Sequence, residues 1–280
     1  MNDIPPEEWQ PEPPQETPPE PLGETPQPEL AQALQPEFVE APPIVIPPRE
    51  PFWGYHELLI FLGAAPIALL LGAFSVKAVF ALFHFKPASE AFEILPEQLL
   101  GYVLMFAALG AVFRMWYDRP FWQSLGWLPL RLPSAVIMVV GMATAILVAL
   151  GGGLVHMTNE PNPLTDLMKG RAALISMAIF GVTVAPVGEE LIFRGFLQPL
   201  LVRSLGVAFG ILLTSIPFGL LHFEEYGNSW IHVALLTMAG AAFGVMRHLT
   251  GSTKASALMH ASYNALFFVA AFAAGKDFGN

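Results

Sequence analysis

From Glu57 onward the chain alternates long apolar runs with short polar joints, and each run approaches the roughly 20 residues that cross a hydrocarbon core of about 30 Å. Seven runs are legible, at about 58–83, 98–117, 134–155, 172–203, 207–223, 230–246 and 255–274. No cluster of alternating strands appears, which argues against a membrane β-barrel. The pattern predicts an all-α, multi-pass membrane helical bundle of about seven transmembrane helices. Trp53, Tyr55, Trp116, Tyr117, Trp122, Trp127 and Trp230 stand beside the run ends, where amphipathic rings suit the headgroup layer.

Composition agrees: of 280 residues, 54% are hydrophobic and 13% charged, about half the charge of a soluble domain. The formal net charge of -10 is local. Residues 1–50 hold eleven acidic residues, one base (Arg49) and 15 of the 27 prolines, while the body balances twelve acids against twelve bases. Such a Pro/Glu-rich segment buries too little apolar surface to offset its ordering entropy. It is expected to be a disordered tail with polyproline II character, retained because it lacks the apolar core of a secretory signal, and its partner is unknown. The expected organisation is a tail over 1–50 and a transmembrane domain over 51–280. A balanced body offers no basic face for nucleic acid. With no cysteine in the chain, disulfides, thiolate metal sites and cysteine nucleophiles are all excluded.

The positive residues of short joints bear on orientation. With seven spans, Arg114, Arg119, Arg131, Arg203, Arg247 and Lys254 fall on the side of the N-terminus, against Lys86, Lys169, Arg171 and Lys276 opposite. The excess favours a plasma-membrane protein with a cytoplasmic tail.

Ionisable groups inside apolar runs are costly and therefore informative. Three places qualify. In Glu189-Glu190-Leu191-Ile192-Phe193-Arg194, which follows Pro186, Glu190 and Arg194 are four apart and pair on one helical face. Glu189, turned about 100° away, keeps a free carboxylate, and burial is what makes a carboxylate a competent general base near neutral pH. The second place is Phe218-Gly219-Leu220-Leu221-His222. Glu189 lies 16 residues before the turn at Leu205 and His222 lies 17 after it, so an antiparallel hairpin brings them to nearly equal depth, about 24 and 26 Å from its tip. The third is His260-Ala261-Ser262-Tyr263-Asn264, with His260 and Asn264 stacked one turn apart in an otherwise apolar helix. His56, His84, His156, His232 and His248 sit at run ends, and Glu224 and Glu225 sit in a joint where solvation is expected. The zinc-helix, nucleophile-elbow and Walker signatures are missing.

EExxxR at 189–194, FxxxH at 218–222 and HxxxN at 260–264, in this order on hydrophobic helices, resemble the CPBP family of intramembrane proteases, also called Abi, which includes the type II CAAX prenyl endopeptidases. The resemblance spans about residues 130–275. It implies an intramembrane endopeptidase in which Glu189 and His222 activate water, His260 and Asn264 stabilise the oxyanion, and Glu190, Arg194 and Phe218 support the site. It also implies a membrane-associated protein or peptide substrate, prenylated CAAX proteins being one class. Relatives are often labelled metalloproteases; a divalent ion such as Zn²⁺, if present, would fall to Glu189, His222 and His260, whereas the residues also permit a metal-free glutamate mechanism. The competing expectation is a non-catalytic membrane scaffold or self-immunity protein whose polar residues form a structural network.

Overall fold

The computed structural model describes residues 50–155 and 162–273. The Pro/Glu-rich tail, His156 and Lys276 lie outside the described residues, and so does the expectation placed on the tail. Every regular element among the described residues is helical. Helix α1 (Tyr55–Leu82) and α2 (Ala91–Tyr117) pack as a pair. A one-turn helix α3 (Phe121–Ser124) leads to α4 (Ser134–Leu154) and a short α5 (Pro163–Leu167). Next come α6 (Arg171–Val182), α7 (Val184–Glu190), a π-helical segment (Leu191–Leu197) and α8 (Gln198–Leu205), which together form one 35-residue rod. Then follow α9 (Val207–Leu221), α10 (Trp230–Thr250) and α11 (Thr253–Ala273).

Six of these helical stretches are long and apolar enough to cross a membrane. Expectation and structure part at the fifth apolar run. Helix α9 has 15 residues, about 22 Å at 1.5 Å per residue, short of the roughly 30 Å core. It ends at Leu221, where the chain turns through His222. The run at 207–223 therefore forms a helix shorter than a full span, and among the described residues the candidate spans number six.

The rod owes its irregularities to identifiable residues. Pro186 lacks an N–H and its ring conflicts with the carbonyl four residues earlier, which belongs to Val182, the last residue of α6. The helix breaks there, with Thr183 at φ −117° and ψ −68°. The π segment leaves Phe196 O to accept a hydrogen bond from the Trp53 indole at 3.1 Å. Trp53 was expected in the headgroup layer; it is instead 1% exposed and stacked against Phe113 and Phe196. The indole N–H can be buried because it has found a carbonyl. Tyr55, Trp116, Trp122 and Trp230 remain exposed as expected.

Small residues bring the helices close, as membrane packing requires. A Cβ on Gly72 of α1 would meet Gly101 N of α2 at 2.6 Å, and one on Gly141 of α4 would meet Met259 O of α11 at 2.2 Å. Gly240 and Gly244 of α10 let the rod approach so that Arg194 and Gln198 bond to their carbonyls, at 2.7 and 2.9 Å.

Candidate functional site

The motif residues assemble from three helical stretches. Glu189 and Glu190 end α7, Arg194 sits in the π segment, Phe218 and His222 come from the end of α9, and His260 and Asn264 come from α11. The hairpin geometry holds: His222 Nε2 is 4.0 Å from Glu189 Oε2. His260, from a different hairpin, brings its Nε2 to 3.9 Å from the same oxygen. Glu189 and His222 keep some exposure, 16% and 18% of their side chains, whereas His260 retains 5%.

Beneath this cluster lies a fully buried ionic layer. The Glu190 and Arg194 side chains are both 0% exposed and join at 2.9 Å. Glu190 Oε1 also receives His260 Nδ1 at 3.1 Å, and its Oε2 accepts from the Ser256 hydroxyl at 2.6 Å. The guanidinium lies over Phe218, 4.5 Å from the ring centroid, with Phe243 and Phe193 at 5.5 and 5.7 Å. The carboxylate and the two terminal guanidinium nitrogens thus meet hydrogen-bond partners, and aromatic faces cover the guanidinium, while the buried Arg194 Nε has no hydrogen-bond partner among the described residues. Phe218 also touches both imidazoles, with centroids 5.1 Å from His222 and 5.7 Å from His260, and Phe243 stacks on His260 at 4.6 Å.

These contacts set the protons. His222 Nδ1 lies 2.8 Å from Phe218 O; a carbonyl can only accept, so Nδ1 carries the hydrogen and Nε2 turns its other face to Glu189. His260 Nδ1 likewise donates to the Glu190 carboxylate. Glu189 Oε2, buried, makes no hydrogen bond among the described residues. Two imidazole Nε2 atoms consequently lie about 4 Å from one carboxylate oxygen.

A divalent metal would need those three atoms as ligands. Tetrahedral zinc, with bonds of about 2.0 to 2.2 Å, sets its ligand atoms roughly 3.4 Å apart. The 3.9 and 4.0 Å separations are wider, and among the described residues no group of three or more acidic or histidine side chains is arranged to hold an ion. The residues as positioned do not fit a directly ligated metal.

Asn264 donates its amide to Gly181 O at 2.7 Å. That carbonyl belongs to the last turn of α6, where the break at Thr183 disrupts the ladder of acceptors. Asn264 therefore caps the broken helix with one amide hydrogen and retains a second.

Several contributors escaped the sequence reading. Ser256 had a signal, since Ser256, His260 and Asn264 recur every four residues on one face of α11. Phe243 and the Gly240 carbonyl had none, because their roles depend on how α10 docks. Tyr102 of α2 packs on Gly188, where a Cβ would lie 2.6 Å from its ring. Glu225 remains exposed in its loop, as expected for a joint residue. His232, unassigned from sequence, stacks on Tyr226 at 4.7 Å.

The fold and site define an all-helical, multi-pass integral membrane protein with a buried carboxylate and two imidazoles gathered among its helices. Residues 171–266 match the family model described as type II CAAX prenyl endopeptidase Rce1-like, a protease family, in agreement with the CPBP resemblance. All three motifs fall inside the matched stretch. No curated protein and no solved structure matches the chain.

Proposed function

We propose that the protein is an intramembrane endopeptidase in which Glu189 and His222 activate a water molecule against a peptide carbonyl. The observation that carries this reading is the buried Glu189 Oε2, without a hydrogen bond and about 4 Å from two imidazole nitrogens. Two acceptors 4.0 Å apart are spaced for one water to donate to both at about 2.8 Å. The water oxygen attacks the carbonyl carbon as Glu189 takes a proton. The second amide hydrogen of Asn264 stabilises the oxyanion, joined by His260 when its Nε2 carries a proton. Collapse breaks the C–N bond, and the proton on Glu189 passes to the leaving amine.

The substrate is proposed to be a membrane-associated protein or peptide, with prenylated CAAX termini as the class to examine first. The family match supports that choice. The test is cleavage of a prenylated and an unprenylated CAAX peptide by the full chain in detergent. Glu189→Ala and His222→Ala should each abolish processing while eluting as folded monodisperse protein, and 1,10-phenanthroline should leave the wild-type rate unchanged. Processing that survives both substitutions excludes the mechanism, and chelator inhibition reversed by added zinc would restore the metal-dependent alternative.

A further inference from the structure

The end of the bundle where α1 begins carries a recess built from residues far apart in sequence and separate from the carboxylate–imidazole cluster. It is a cleft of about 450 Å³ lined by the entry segment Glu50–Trp53, the α3 region, α8 and the end of α10, within the usual range for a small-molecule site. Arg203 and Arg247 both line it. Neither has a carboxylate within ion-pair distance among the described residues: Arg203 donates to Pro51 O, and Arg247 donates to the Thr253 hydroxyl at 2.9 Å. Glu50, the acid on the rim, is 3.9 Å from Arg119, which offsets its charge. His248 and Gln123 add further groups able to donate. Gln198, 3% exposed, also lines the cleft, and its buried Oε1 has no hydrogen-bond partner.

Two guanidiniums with spare donors and no anion match a phosphate, whose oxygens accept several charge-assisted hydrogen bonds at once. The setting agrees, because Arg114, Arg119, Arg131 and Lys254 belong to the same end of the helices, and basic recesses between membrane helices favour anionic lipid headgroups. We infer that this cleft is a binding site for a phosphate group, carried by an anionic phospholipid headgroup.

The test uses the full chain in detergent, titrated with short-chain phosphatidylglycerol and, separately, with inorganic phosphate, and followed by native mass spectrometry and thermal midpoint. Phosphatidylglycerol should form a one-to-one adduct and raise the midpoint. The exposed-site variant Arg203→Gln should bind it about fivefold more weakly, the factor expected from roughly one arginine's contribution near a membrane surface. Arg247→Gln provides a second, independent reading if one variant misfolds. A phosphate response equal to the lipid response would assign the cleft to free phosphate. Lipid binding of equal strength in wild type and both folded variants, or no response to either probe, overturns the inference. None of these readouts depends on peptidase activity.

Discussion

Glu190 explains why adjacent glutamates can have different roles. Its carboxylate is spent on Arg194, His260 and Ser256, while that of Glu189 faces the two imidazoles. Glu190→Gln leaves the Arg194 guanidinium buried without its counter-charge, and breaking such a pair costs about 3 to 5 kcal/mol. Thermal unfolding in detergent should show this loss. Ser256→Ala, which removes one hydrogen bond to a charged acceptor, should cost about 1.5 to 3 kcal/mol. Equal midpoints for wild type and Glu190→Gln would show that the buried layer contributes nothing to stability. At this scale much of the site was legible: the 189–194 spacing announced the ion pair, and equal distances from the Leu205 turn announced the meeting of Glu189 with His222. The helix-break cap by Asn264 was not, because it depends on the carbonyl exposed when Pro186 interrupts the rod.

Among the elements, α7 matters most, since it holds both glutamates and is bounded by a break on one side and a π segment on the other. π segments occur often at functional sites because one added residue turns the following side chains; here the segment carries Arg194, which reaches Glu190 behind it and Gly240 across on α10. Apolar periodicity cannot reveal such a register change, since the residues on either side are equally hydrophobic. The same limit concealed the shortness of α9, which ends at Leu221 with His222 as its C-terminal cap. Close packing makes α7 sensitive at Gly188. An added Cβ would sit 2.6 Å from the Tyr102 ring, so Gly188→Ala should destabilise by about 1 to 3 kcal/mol and displace the adjacent Glu189. Combining it with Tyr102→Leu should recover part of both stability and cleavage. Unchanged melting and cleavage in the single variant would mean that α2 does not position α7.

At the scale of the bundle, the described residues form six candidate spans and the shorter α9, with ends that differ in charge. Arg114, Arg119, Arg131, Arg203, Arg247 and Lys254 belong to one end; Lys86, Lys169 and Arg171 belong to the other. If positive residues mark the cytoplasmic face, the first end is the one predicted to face the cytoplasm. The absence of cysteine makes this directly measurable by single substitutions. In intact cells, a membrane-impermeant maleimide should label Lys86→Cys and spare Asp118→Cys. The reverse labelling would invert the orientation. Helicity and multiplicity of crossings were readable from apolar run length and the meeting of α7 with α9 from the count to the Leu205 turn, but the convergence of α11 on them was readable only through the motifs, since nothing in hydropathy says which helices meet.

The central claim is that the Glu189 carboxylate takes the proton from water. Glu189→Gln keeps the size of the side chain and removes the base, so its single-turnover cleavage rate, measured beside its melting midpoint, addresses the claim most directly. The account predicts a rate reduced by about 10² to 10⁴ with a near-native midpoint. A folded Glu189→Gln protein that cleaves within a few-fold of wild type would contradict it.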